Sequence, residues 1–211
     1  MKTFDLSLYL ILDPDLCRAI GMVETARLAV EGGVTMVQLR DKFADTPRMI
    51  ETGRALKAGL AGTGVPLIVN DDVEAAMAIA ADGVHVGQDD LEAARARSLI
   101  GNGMILGLSV ETGELARRVD PGIVDYVGAG PVFSTPTKPD HKQPIGFDGL
   151  ARLVAAAPVR TVAIGGLKAG HAEHVLAAGA HGLAVVSAIC GTADPKAAAA
   201  ELASEIERAR R

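Results

Sequence analysis

Eight short apolar runs, each about the length of a β-strand, alternate with eight longer amphipathic runs, most of them rich in alanine, from one end of the chain to the other. The strand-like runs are Leu8–Leu12, Met36–Leu39, Leu67–Asn70, Gly83–Val86, Ile105–Ser109, Tyr126–Gly128, Thr161–Ile164 and Gly182–Val185. Helical periodicity falls between and after them, over Glu24–Glu31, Pro47–Leu60, Val73–Ala80, Leu91–Ile100, Gly113–Val119, Phe147–Ala155, Ala169–Ala177 and Pro195–Arg208. Connections of this length must cross over with their helix, which makes the strands parallel and the crossovers right-handed. Eight equal units favour closure into a (β/α)8 TIM barrel. An open doubly wound sheet shares the rhythm, but it usually has fewer strands, and no GxGxxG follows the first strand here. No linker or low-complexity break interrupts the 211 residues, so one barrel domain over 1–211 is expected.

The core of such a barrel has to be aliphatic, because 49% of residues are hydrophobic, only 3% are aromatic and there is no Trp. Small aliphatic layers suit a parallel sheet buried on both faces. A formal net charge of −5 without a Lys/Arg stripe argues against a nucleic-acid partner. No stretch approaches the roughly 20 apolar residues of a membrane helix. The first residues, Met1 to Asp5, feed no long apolar run, and Cys17 and Cys190 stand in no metal-ligand spacing. A cytoplasmic protein with reduced thiols, and with neither membrane nor nucleic acid as partner, is therefore expected. The five histidines show no zinc spacing; His171 and His174 are expected to face water, and His85 to lie in or beside the barrel wall.

Barrel chemistry collects on the loops that follow the strands, since that rim alone presents eight strand ends to one pocket. Polar residues cluster there. Gln38, Arg40 and Lys42 follow the second strand, and their spacing of two puts them on one side of an extended chain, a row suited to a polyanion. Asn70 and Asp71 follow the third strand and Asp90 the fourth, so Asp71 and Asp90 converge as an oxygen-rich site for magnesium beside a diphosphate. Asp72 is open between a rim carboxylate and a helix N-cap. Ser109 closes the fifth strand. The passage Gly128–Lys138, with Thr135, Thr137 and Lys138, reads as a lid that adds donors to the diphosphate. Gly165-Gly166 and Ser187 end the seventh and eighth strands, the two from which barrels build phosphate sites out of backbone N–H groups. At Gly166 a Cβ would stand where the phosphate approaches the backbone. Two separate anion sites in one pocket are expected.

The segments GVTMVQLRDK (Gly33–Lys42), PLIVNDDVEAAMAIAADGVHVGQDDL (Pro66–Leu91), ILGLSVET (Ile105–Thr112), VDYVGAGPVFSTPTK (Val124–Lys138), AIGG (Ala163–Gly166) and GLAVVSAI (Gly182–Ile189) resemble the thiamine phosphate synthase family over nearly the whole chain. The resemblance implies a transferase that joins 4-amino-2-methyl-5-(diphosphooxymethyl)pyrimidine to a thiazole phosphate, releasing thiamine phosphate and diphosphate with Mg2+ as cofactor. It places the pyrimidine diphosphate on Gln38, Arg40, Lys42, Asn70, Ser109 and Lys138, with the metal on Asp71 and Asp90. It places the thiazole phosphate on Thr135, Pro136, Thr137, Gly166, Val186 and Ser187. Arg40, Lys42, Ser109 and Lys138 take the catalytic roles. Two departures stand out: Ala184 where some members carry a hydroxyl, and Ser134 where the family often has Pro. The alternatives are a paralogue that isomerises a thiazole phosphate and a non-catalytic sensor of a phosphate ligand. A homo-oligomer is compatible with either reading.

Overall fold

The computed structural model describes residues 3–135, 137 and 142–211. Its elements follow in strict alternation: β1 (Leu8–Leu12), α1 (Met22–Glu31), β2 (Met36–Leu39), α2 (Thr46–Gly59), β3 (Leu67–Asn70), α3 (Val73–Ala78), β4 (Gly83–Val86) and α4 (Ala93–Ile100). The second half continues with β5 (Ile105–Val110), α5 (Gly113–Arg117), β6 (Tyr126–Ala129), α6 (Gly146–Ala156), β7 (Arg160–Ile164), a 3-10 turn (Ala169–His171), α7 (Ala172–Ala177), β8 (Gly182–Val185) and α8 (Pro195–Ala209). Every strand pairs in parallel with the next, and β8 pairs back onto β1 through Tyr9 and Ala184, which closes the barrel. The (β/α)8 expectation from the sequence holds.

Strand parity divides the core in two. Tyr9, Ile11, Met36, Ile68, Ile105, Tyr126, Val162 and Ala184 form one buried cluster inside the barrel. Residues of the opposite parity, such as Leu8, Leu10, Val37 and Leu39, join Ala26, Ala29, Leu56 and Leu202 of the helices in a second cluster around it. Successive side chains of a strand point to opposite faces, and here both faces are dry. The interior cluster carries the two tyrosines, packed edge to face with ring centroids 6.0 Å apart.

Asp72 resolves as a cap: its side chain accepts from Ala75 N at 2.8 Å and starts α3. Cys17 and Cys190, far apart in sequence, are both buried free thiols. Among the described residues, no helix is long and apolar enough to cross a membrane.

Candidate active site

One pocket opens at the ends of the strands, and its wall contains Gln38, Arg40, Lys42, Asn70, Asp71, Asp90 and Ser109 on one side. Thr135, Thr137, Gly166, Val186 and Ser187 complete it on the other. All of the expected site residues within the described part of the chain therefore line one cavity. Pro136 and Lys138 lie outside the described residues.

The acidic end of the pocket is built by the loops after β3 and β4. Asp71 stands at φ 61°, a left-handed conformation that Asp tolerates better than most residues, and its N–H donates to His85 O at 2.8 Å. Its carboxylate pairs with Lys42 and accepts from Asn70 Nδ2 at 2.6 Å. Burial raises the Asp71 carboxyl above its ordinary range; the hydrogen bond from Lys42 pulls it down, and Asp90 beside it pushes it up. Asp90 itself accepts from Gly87 N at 2.8 Å. Two adjacent carboxylates, one partly buried, disfavour ionising together without a cation, and their hard oxygen donors fit a divalent metal such as magnesium. Among the described residues, no three His, Cys, Asp or Glu side chains are arranged to hold a metal ion together, so a metal here would take its remaining oxygens from elsewhere.

The floor differs from the expectation. Gln38 is only 2% exposed, and its Nε2 donates to the Tyr9 hydroxyl, so it sits beneath Arg40 rather than beside it in an open row. His85 was expected in or beside the wall; on β4 it lines the pocket, with Nδ1 2.9 Å from Tyr126 Oη and Nε2 2.9 Å from Ser109 Oγ. Sequence reasoning did not single out Tyr9, and gave His85 no place in the pocket, because polar atoms on wholly buried strands look like wall residues. Lys142, from the loop after β6, also lines the pocket and was not singled out.

At the opposite end, Ile189 N and Cys190 N both donate to Val186 O, so the chain leaves β8 in a single helical turn. The leading N–H groups of such a turn have no partner within it and suit an anion. Gly166 has φ 63°, and a Cβ there would lie 2.8 Å from both Phe133 Cβ and Ser134 O. The glycine is thus required by the close passage of the loop after β6, a constraint that the sequence reading did not include. Thr135 and Thr137 hydroxyls meet at 2.7 Å on the same side. His171 is half-exposed, and its ring packs 4.9 Å from that of Phe133 and 5.9 Å from that of Phe147. His174 stays exposed but stacks on Phe147 at 4.9 Å.

A family model described as thiamine monophosphate synthase matches residues 8–189. The chain is similar to the thiamine-phosphate synthase of Azorhizobium caulinodans, 49% identical over 208 residues, covering 99% of this chain and 98% of that protein. It is 47% identical over 197 residues to the thiamine-phosphate synthase of Psychrobacter sp., covering 92% of each. Among solved structures, thiamine phosphate pyrophosphorylase from Pyrococcus furiosus superposes with a TM-score of 0.87 at 37% identity, covering 97% of this chain and 96% of that one. Family model, relatives and structure all extend across the barrel and its whole rim, and the chain belongs to the thiamine monophosphate synthase family.

Proposed function

We propose that the rim pocket couples a pyrimidine methylene diphosphate to a thiazole phosphate, forming thiamine phosphate and diphosphate. The observation that carries this reading is the pairing, across one cavity, of a cation-and-carboxylate end with a backbone-rich end. The first end suits a diphosphate held with a metal; the second suits a monophosphate held without one. Arg40 supplies a planar fork for diphosphate oxygens and Lys42 a mobile point charge, while Lys138 belongs to the same set by family resemblance. Asp71 and Asp90 would hold Mg2+, which when bound neutralises charge on the departing diphosphate. The carbon–oxygen bond to diphosphate breaks with its electron pair leaving on oxygen, the aminopyrimidine ring spreads the positive charge, and the thiazole nitrogen then forms the new carbon–nitrogen bond. No side-chain nucleophile is needed, so positioning and electrostatics carry the rate.

The division into two ends is tested by calorimetric titration with each substrate separately. Arg40→Ala is expected to weaken the pyrimidine diphosphate about 10- to 100-fold, the range for charge-assisted hydrogen bonds, and to leave the thiazole phosphate within about twofold. Equal weakening of both ligands contradicts the arrangement. Ser187 makes the complementary test. Ser187→Ala removes one hydrogen bond to a charged acceptor, about tenfold in affinity, and Ser187→Asp adds like-charge repulsion on top. Both defects should be confined to the phosphorylated thiazole. Equal losses with the unphosphorylated thiazole alcohol would move the phosphate elsewhere.

A further inference from the structure

A chain of five polar side chains crosses the barrel interior beneath the pocket. Gln38 Nε2 donates to Tyr9 Oη, Tyr9 Oη meets Tyr126 Oη at 3.0 Å, Tyr126 Oη meets His85 Nδ1 at 2.9 Å, and His85 Nε2 meets Ser109 Oγ at 2.9 Å. It runs from β2 through β1 and β6 to β4 and β5, and both of its ends, Gln38 and Ser109, line the pocket. Tyr126 does not. It is fully buried and contributes nothing to the pocket wall.

The chain has a direction. An amide nitrogen only donates, so Tyr9 Oη accepts a hydrogen bond from Gln38 Nε2 and donates its own O–H to Tyr126 Oη. Tyr126 in turn donates to His85 Nδ1, which therefore acts as acceptor and leaves the imidazole proton on Nε2. His85 Nε2–H then donates to Ser109 Oγ, and the serine's own O–H is left to face the pocket. Burial pushes both phenols well above their ordinary range, so neither tyrosine breaks the sequence by ionising. The cost of leaving any buried member without its partner holds the order in place.

We infer that Tyr126 is a positioning residue: acting through His85, it commits Ser109 to donate a hydrogen bond into the pyrimidine-diphosphate half of the pocket. The inference rests on the proposed coupling reaction for its kinetic test, but its structural test is independent of that reaction. A donor at Ser109 suits an acceptor on the substrate, either a diphosphate oxygen or a ring nitrogen. A merely structural tyrosine would be indifferent to what Ser109 does.

Two measurements decide it. Imidazole-nitrogen NMR of the ligand-free wild-type protein above neutral pH, with His85 assigned by its loss in His85→Asn, is expected to show a protonated Nε2 and a bare Nδ1. A proton on Nδ1 would reverse the chain, leave Ser109 facing the pocket with lone pairs alone, and overturn the inference. This result requires neither activity nor a stable tyrosine variant. Kinetically, Tyr126→Phe is expected to lower kcat/KM for the pyrimidine diphosphate about tenfold, one hydrogen bond's worth, with KM for the thiazole phosphate unchanged. In a Ser109→Ala background the same change is expected to cost less than about twofold, since its only route to the substrate is gone. Additive losses would overturn the inference. Absence of turnover in the wild-type protein would instead remove the proposed reaction, with the tautomer still deciding the order of protons.

Discussion

Asp71→Asn and Asp90→Asn are each expected to lower magnesium-dependent turnover about 100-fold or more while leaving the barrel folded, a loss typical of removing one electrostatic element of transition-state stabilisation. Asparagine is the informative replacement. At Asp71 the backbone sits at φ 61°, which costs Asn less than Ala, so an alanine variant would mix strain with lost charge. At Asp90 the amide oxygen of Asn can still accept from Gly87 N and keep the turn. The sign of the stability effect separates a ligand from a structural ion pair. A carboxyl whose folded pKa is raised stabilises the fold below its unfolded pKa and loses that contribution as pH rises through the folded value. The raised Asp71 carboxyl is of this kind, so its ionisation in the metal-free protein opposes the fold even with Lys42 beside it. Asp71→Asn should therefore melt no lower than the wild type at neutral pH without metal, and should lose the rise in Tm that magnesium with diphosphate gives the wild type. Normal turnover by either variant at limiting magnesium would remove that residue from the metal site.

Gly107→Ala is expected to destabilise the protein by about 3 kcal/mol, the upper part of the usual range for overpacking, and to lower Tm by roughly 10 °C for a chain of this size. A Cβ at this position on β5 would overlap Tyr126 Cζ and His85 Nδ1 inside the barrel. Neither neighbour has room to yield. Tyr126 is held edge to face by Phe4 at 5.8 Å and by Tyr9 at 6.0 Å, and the strand is fixed on both sides by β4 and β6. The glycine is thus what lets a tyrosine and a histidine share the interior under the pocket. Thermal unfolding checks the magnitude; a wild-type Tm would show that these rings are not packed against β5.

Much of this architecture was legible because strand cores and helix faces follow different periods. Leu8–Leu12, Met36–Leu39, Leu67–Asn70, Gly83–Val86 and Gly182–Val185 are strands over the expected residues, and β5, β6 and β7 each gain one residue at an end. Helix ends were less legible, since they depend on local backbone conformation. The run expected to reach Ala80 stops at Ala78, and Ala80 itself turns to φ 49°. The stretch from Ala169 starts as a 3-10 turn before becoming α7. Helix α4 starts at Ala93, not Leu91, with residues 88–92 left in the rim loop that carries Asp90.

The rim residues were legible for a related reason. Each follows an apolar run, where a barrel must place its loops, and the family resemblance then sorted them by substrate. The floor was not. In a strand buried on both faces, Tyr9, His85 and Tyr126 give no alternating signal to mark which side they take. Their partnership joins β1, β4 and β6, which are not adjacent to one another in the barrel, so sequence spacing carries no trace of it. The pairing of Lys42 with Asp71 is of the same kind: two residues expected in neighbouring roles turn out to form an ion pair with each other.

The account is tested most directly by incubating the purified protein with the pyrimidine diphosphate, the thiazole phosphate and magnesium, and following the phosphorus NMR spectrum. Thiamine phosphate and diphosphate are predicted to appear in equal amounts, and neither should form when one substrate is omitted or the metal is chelated. Thiazole phosphate that is bound unchanged, or rearranged without any thiamine phosphate, would contradict the coupling reaction and make the pocket that of a sensor or an isomerase.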